Sequence, residues 1–379
     1  MQKKIKPYLV VIGTRPEAIK LAPLCIEMKK RKIKYKILLT GQHKEMANEV
    51  LPLFGLKANF LLNTMQKNQS LSELSSKLFF EIEKIFKKNK FQGIFVQGDT
   101  SSSYIAGITS FYNNTPVYHV EAGLRTNNLR SPFPEEFNRK GLSHLAEHNF
   151  CPTKNSKNNL LKEGISNKKI SVVGNTIVDA IKHIKTKAKN NPFSSKELQK
   201  NVNIIDDKKI LKILLTMHRR ENHQNGIKNV CRAVNNLTKT FNIHVFFPVH
   251  PNPNVKKVVR TILKDNHKVS LLEPLNYQDL LKLMDKIDLV LSDSGGLQEE
   301  SPSFRNPILI LRDSTERPEI IDAGGGLLIG TDEDKVYNMT KEIIENERKY
   351  KKMSSIKNPF GDGKTSNRII NKIVTNNEK

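Results

Sequence analysis

Three carboxylates follow short apolar runs in the first half of the sequence: Asp99 in GDTSSS, Glu121 in VEAGLRT and Glu135 in SPFPEEFNR. Acids at such places are part-buried, so their neighbours can set their pKa values apart. A group of them can then supply both a general base and a general acid. Each also has a plainer reading. Asp99 or Thr100 can be a helix N-cap, and Glu135 and Glu136 can complement a helix dipole, with Glu136 in a surface ion pair with Arg139. The second half supplies histidine and cations: His218 with Arg219 and Arg220 in MHRREN, and His250 in PVHPNP. A histidine among arginines suits phosphate binding, or a proton donor beside a phosphate leaving group. A structural histidine is the ordinary alternative.

Two further segments have the makings of anion sites. GTRPEAIK places Arg15 and Lys20 after the first apolar run, around a tight turn at Gly13. In DLVLSDSGGLQEESPSF, Ser294, Gly295 and Gly296 break a greasy run, and Glu300 lies further on. A strand, a small-residue turn and a helix start aim free N–H groups and the helix dipole at the turn. An ordinary strand-to-helix turn has the same look. Arginine is chosen in Gly/Pro-punctuated segments (Arg15, Arg125, Arg130, Arg139, Arg219, Arg220, Arg312, Arg317), whereas lysine dominates elsewhere. The planar guanidinium fork points to a small anionic ligand.

Bulk composition narrows the classes. Of 379 residues, 37% are hydrophobic and 27% charged, which predicts a globular chain of more than one domain. The net charge of +25 invites a nucleic-acid reading. The lysines are scattered, no aromatic ladder interleaves them and Trp is absent, so we read a solvated lysine surface and no nucleic-acid partner. The apolar run Tyr8–Ile12 is too short for a secretory leader, and no run approaches the roughly 20 residues of a membrane span. Cys25, Cys151 and Cys231 lie far apart, which fits a reducing cytoplasm without a disulfide framework. His218 and His250 lack metal-ligand spacing and HExxH does not occur, so no metal is expected. GxGxxG and a Walker A loop are likewise missing.

These residues need a scaffold that gathers strand ends. Apolar runs at Tyr8–Ile12, Lys36–Leu39, Gly93–Gln97, Val117–Val120, His148–Cys151 and Ile170–Val173 alternate with helix-length segments. Around Gly174 the pattern pauses and a polar Lys/Asn-rich stretch, 190–209, reads as linker and solvated surface. Alternation restarts with strands at Ile210–Thr216, Ile243–Pro248, Val269–Leu271, Leu289–Ser292 and Pro307–Leu311. The fold class is therefore α/β, with two doubly wound Rossmann-like domains facing a central cleft. The expected division is 1–174, completed by a C-terminal helix within 360–379, and 175–359. Ligands of such sheets sit beyond the carboxyl ends of the strands, where all the candidates above fall. The economical ligand has a phosphate part for the second half and a reacting part for the carboxylates of the first, as a nucleotide-sugar has.

GTRPEAIKLAPL, GDTSSS, HVEAGLRT, SPFPEEFNR, HRREN, PVHPNPNV, SDSGGLQEE and RDSTERPE occur in an order and spacing that resemble the non-hydrolysing UDP-N-acetylglucosamine 2-epimerases over essentially the full length. The resemblance implies a GT-B type fold. It implies inversion at C2, interconverting UDP-GlcNAc and UDP-ManNAc by elimination of UDP to a 2-acetamidoglucal and re-addition, with neither metal nor NAD. It further implies a homodimer that supplies a surface polysaccharide pathway. By the same resemblance Asp99, Glu121 and Glu135 match the acid/base carboxylates, unassigned as to which proton each takes, and His218 matches an essential histidine. Arg15, Lys20, Arg219, Ser294, Gly295 and Gly296 match the diphosphate site, and Glu300 a carboxylate that holds ribose hydroxyls. Gln42, Glu45 and His250 match a second, activating substrate site.

Met217, where a small residue is commoner, and the extra glycine of AGGGLLIGTD depart from the family pattern. The latter suggests a looser backbone at the uridine end. A hydrolysing epimerase, a glycosyltransferase of the same fold and a non-catalytic nucleotide-sugar sensor are the competing readings.

Overall fold

The two halves of the chain build two parallel sheets whose strands are short and largely buried, as sheets covered by helices on both faces require. The structure is a computed structural model that describes residues 6–41, 44–66, 68–188, 191–219, 222 and 225–377. Its residues group into two compact units. The first runs from Met1 to Ile184 and takes in Phe360–Lys379, and the second is Lys185–Pro359. The division falls after Ile184, inside the helix Thr176–Ala188, and not at the Gly174 pause. A helix can continue through a domain boundary without any change in its local pattern, so the sequence carries no mark there.

The first unit holds β1 (Tyr8–Ile12), β2 (Tyr35–Leu39), β3 (Phe60–Leu61), β4 (Ile94–Gln97), β5 (Val117–Val120), β6 (His148–Cys151) and β7 (Ile170–Val172). They pair in the order β3-β2-β1-β4-β5-β6-β7, all parallel. The order reverses between β1 and β4, which opens a crevice at their carboxyl ends. Helix Leu71–Lys88 shows why the core forms. Leu74, Leu78, Ile82, Ile85 and Phe86 recur at helical spacing and are buried against Leu9, Val11, Ile94 and Val96. Ser70 and Glu73 cap it reciprocally, Ser70 N–H donating to the carboxylate at 2.7 Å and Glu73 N–H to the hydroxyl at 3.2 Å. Each such aliphatic side chain contributes about 1.5–3 kcal/mol by leaving water. The last helix, Thr365–Asn377, belongs to this unit and buries Ile369, Ile370 and Ile373. Its first N–H groups, of Thr365 and Ser366, donate to the Asp179 carboxylate at 3.2 and 2.8 Å.

The second unit holds β8 (Leu211–Thr216), β9 (Ile243–Pro248), β10 (Val269–Leu272), β11 (Leu289–Ser292), β12 (Ile308–Ile310) and β13 (Gly326–Leu328). Their order is β10-β9-β8-β11-β12-β13, again all parallel, with the reversal between β8 and β11. Its core packs Ile213, Leu215, Val245, Phe247, Leu289, Leu291 and Leu309 from the strands against Val230, Val234 and Leu237 of helix Asn225–Thr240. Together the sheets are the expected pair of doubly wound α/β folds.

One expectation changes. The stretch 190–209 is not bare linker: helices Lys196–Lys200 and Val202–Asp206 lie in it, each burying one aliphatic side chain, Leu198 and Ile205. Two of the glycines of AGGGLLIG lie in close packing. Gly326 opens strand β13, and a Cβ on Gly325 would lie 2.2 Å from Ile356 Cδ1, so Ile356 would have to shift to admit one. Among the described residues no helix is long and apolar enough to cross a membrane.

Candidate active site

In the first unit the tips of β1, β4 and β5 stand side by side. Glu121, first residue past β5, has φ +63°, the left-handed region that a non-glycine residue enters at a cost of about 1–3 kcal/mol. Its carboxylate is held from three directions. Lys20 Nζ forms a buried ion pair with it, and Gln97 Nε2 and Asn175 Nδ2 each donate at 3.0 Å. Lys20, matched in sequence to a diphosphate contact, pairs here with Glu121.

Asp99, at the neighbouring tip, is half-buried and pairs with the guanidinium of Arg139. Asn138 Nδ2 donates to the Asp99 carbonyl at 2.9 Å. Both partners lie on helix Glu135–Leu145, so the residues that fix Asp99 also bring Glu135, at the start of that helix, to the same end of the sheet. Glu136 forms no surface pair: it is fully buried, lies 3.3 Å from Arg139, and accepts the N–H groups of Thr126 and Asn127 at 3.1 and 3.0 Å. Beneath the Asp99 turn, His119 Nε2 donates to the Gly98 carbonyl at 2.8 Å. Burial holds its pKa down at about 4, so the ring is neutral at physiological pH.

Glu17 ties the β1 turn to the β4 turn. Its buried carboxylate accepts from Gly13 N–H (2.7 Å), Thr14 N–H (2.6 Å) and Thr14 Oγ1 (3.0 Å), and from Thr100 Oγ1 and Ser103 Oγ, both at 2.6 Å. Burial raises its pKa, with Ser103, Thr100, Gly13 and Thr14 pulling the other way. Arg15 sits half-buried on this fixed turn.

In the second unit the β8 and β11 tips meet at the sheet reversal. Asp293, fully buried, accepts His218 N–H (3.1 Å), Arg219 N–H (3.0 Å) and Asn222 Nδ2 (2.9 Å), and lies 3.0 Å from His218 Nδ1. Burial raises the Asp293 pKa, but the His218 interactions and the other hydrogen bonds outweigh it and leave it lowered. Next along the chain, Ser294 caps the short helix Gly295–Glu300, its hydroxyl accepting Leu297 N–H at 3.4 Å, and Gly296 is exposed. A Cβ on Gly295 would lie 2.6 Å from Arg317 Nη1, so the glycine lets that guanidinium lie on the turn. Arg317 is anchored by Glu299 at 2.6 Å, while Glu316 bridges Arg312 at 2.9 Å and Arg317 at 3.5 Å. Glu300, at the far end of the helix, accepts from Tyr277 OH at 2.9 Å. His250 follows β9, its Nδ1 accepting Asn252 N–H at 3.3 Å. Glu45 belongs to helix Lys44–Leu53, and Gln42 and Arg220 lie outside the described residues.

Three residues carry more of this geometry than their sequence context suggested. Glu17 had a signal, since T-x-x-E before an apolar helix is a capping box. Asp293 sat inside a quoted motif but reads as one more small polar residue. Asn175 becomes a Glu121 partner only through the fold.

These features define an enzyme of two Rossmann-like units, with grouped carboxylates on one sheet and an arginine-backed strand-to-helix turn on the other. The sequence model of the UDP-N-acetylglucosamine 2-epimerase family matches residues 26–374, and the chain belongs to that family. It is 43% identical over 370 residues to the UDP-N-acetylglucosamine 2-epimerase of Neisseria meningitidis, covering 97% of this chain and 99% of that one. The crystal structure of a Neisseria meningitidis UDP-GlcNAc 2-epimerase bound to UDP-GlcNAc superposes with a TM-score of 0.90 at 41% identity, covering 97% of this chain and 100% of the other. The Methanocaldococcus jannaschii UDP-GlcNAc 2-epimerase in complex with UDP-GlcNAc and UDP gives 0.81 at 33% identity, covering 97% and 99%.

Proposed function

We propose that this chain is a non-hydrolysing epimerase that inverts C2 of UDP-N-acetylglucosamine to give UDP-N-acetylmannosamine. The reading rests on one observation above all: Glu121 is held in a strained conformation by Lys20, Gln97 and Asn175, beside Asp99. A carboxylate fixed so firmly is built for placed proton transfer. The C2 proton is weakly acidic and becomes removable as the C1–O bond to the diphosphate opens. A carboxylate of the first unit takes the proton, the C1–C2 double bond of a 2-acetamidoglucal forms, and the bonding pair leaves on UDP. Proton return to the opposite face of C2 and attack of the diphosphate oxygen on C1 complete the inversion. Asp99, Glu121 and Glu135 share the proton work.

The second unit serves UDP. Ser294, Gly295 and Gly296 approach the phosphates, His218, Arg219 and Arg317 stabilise the charge of the departing diphosphate, and Glu300 takes the ribose hydroxyls. Arg15 adds a diphosphate contact from the first unit. His250, with Gln42 and Glu45, belongs to a second, activating substrate site. The enzyme works in the cytoplasm as a homodimer and feeds a surface polysaccharide pathway.

The test is incubation with UDP-GlcNAc in deuterated water, following C2 by NMR. Deuterium at C2 with UDP-ManNAc appearing is the expected result. Free ManNAc would assign the hydrolysing reaction instead, and no exchange at C2 would leave a transferase or a sensor. Glu121→Gln is expected to abolish exchange and to bind UDP almost as the parent does.

A further inference from the structure

We infer that Asp293 is a positioning residue that fixes the ring of His218 and the tautomer in which it works. The inference rests on the reading above for the role of His218. The two residues occupy the tips of β8 and β11, adjacent parallel strands in register from Leu289 beside Ile213 to Ser292 beside Thr216. Thr216 Oγ1 and Ser292 Oγ lie 2.6 Å apart just below them. The Asp293 side chain is wholly inaccessible to water, whereas 48% of the His218 side chain is exposed. A histidine so open to solvent would ordinarily sample several rotamers and both neutral tautomers. Here the buried carboxylate stands 3.0 Å from Nδ1.

The carboxylate cannot swing away. The backbone N–H groups of His218 and Arg219 and Nδ2 of Asn222 all donate to it, at 3.1, 3.0 and 2.9 Å. An ionised carboxylate only accepts, so Nδ1 must carry a hydrogen. Nε2 is then the nitrogen left to face a ligand, at the sheet reversal where such folds take their ligands. The same carboxylate orders the backbone of Arg219, so one buried acid sets both the imidazole and the residue after it.

Asp293→Asn tests this sharply. Arg219 N–H and Asn222 Nδ2 require an acceptor where Oδ2 now lies, so the amide oxygen turns toward them. The amide nitrogen is left facing His218 and donates to Nδ1, which moves the ring hydrogen to Nε2. Nitrogen-15 NMR of histidine-labelled protein, with the His218 signal assigned by its loss in His218→Gln, reads the tautomer directly. The expected result is Nδ1–H in the parent and Nε2–H in Asp293→Asn. Alongside it, kcat falls by about tenfold or more while KM for the nucleotide-sugar stays within about threefold. A parent ring bearing its hydrogen on Nε2 overturns the inference, even if the variant does not fold, and so does an Asp293→Asn enzyme with undiminished kcat. Undiminished turnover in His218→Gln instead overturns the reading on which the inference rests.

Discussion

Lys20, on the second turn of helix Arg15–Lys30, sets its ammonium against the carboxylate of Glu121, with only 8% and 7% of the two side chains exposed. Removing one partner of so buried a pair leaves the other charge uncompensated. Lys20→Met is therefore expected to lower unfolding free energy by about 3–5 kcal/mol, measured by urea titration. The double variant Lys20→Met/Glu121→Gln is expected to regain most of that loss. Equal losses in single and double variants would show that the loss does not come from the uncompensated Glu121 charge.

On the β11 turn the Arg317 guanidinium lies against Gly295. A methyl group would stand 2.6 Å from Nη1 and 2.8 Å from Cζ, and Glu299 holds the guanidinium in place. Gly295→Ala is expected to displace Arg317 and weaken UDP binding by about tenfold, or about 1.4 kcal/mol, by titration calorimetry. Unchanged affinity would remove Arg317 from the phosphate turn.

Glu316 is an acid sensor of stability in the second unit. Burial raises its pKa, but the hydrogen bond from Arg312 and the charges of Arg317 and Arg312 prevail and hold it at about 2, below the ordinary 4.5. A depressed acid stabilises the native state above its unfolded value and ceases to as pH falls toward its folded one. The contribution, on the order of 3 kcal/mol, is thus present above about pH 4.5 and lost between there and about pH 2. Glu316→Gln is expected to flatten that part of the stability profile in urea titrations at stepped pH.

His119 acts in a different window. Burial lowers its pKa from 6.5 to about 4, so the native state takes up its proton later than the unfolded chain does. Its contribution, again on the order of 3 kcal/mol, is fully present above about pH 6.5 and disappears as pH falls toward 4. His119→Gln is expected to reduce the slope of stability against pH in that interval. Because the ring supports the Gly98 carbonyl, the Asp99 turn is the first place to look for local opening.

Most of the architecture could be read from alternating periodicity, because a doubly wound sheet writes each strand as a short aliphatic run. What escaped had no such run. β3 is two residues long, β13 begins on a glycine, and helices Glu333–Glu345 and Glu347–Ser354 lie beyond the last strong strand signal. The candidate carboxylates were visible as tip residues, since Asp99 lies two residues past β4 and Glu121 directly follows β5. Their partners were not, because Lys20, Arg139 and Asn175 lie 101, 40 and 54 residues away from them in sequence, and only the fold closes those distances. Asp293 was hidden for the opposite reason: it sits in a motif whose neighbours, Ser294 and the glycines, drew the chemical reading to themselves.

The return of helix Thr365–Asn377 to the first unit has a consequence for how the protein is made. The stretch from Lys185 to Pro359 is continuous and has all its own strands once it has left the ribosome. The first unit's strands emerge earlier, but Asp179 has no Thr365 or Ser366 to cap until the second unit has been synthesised. The half that is synthesised first is thus completed only after the second, and until helix Thr365–Asn377 is made the nascent chain carries uncovered the face that receives Ile369, Ile370 and Ile373.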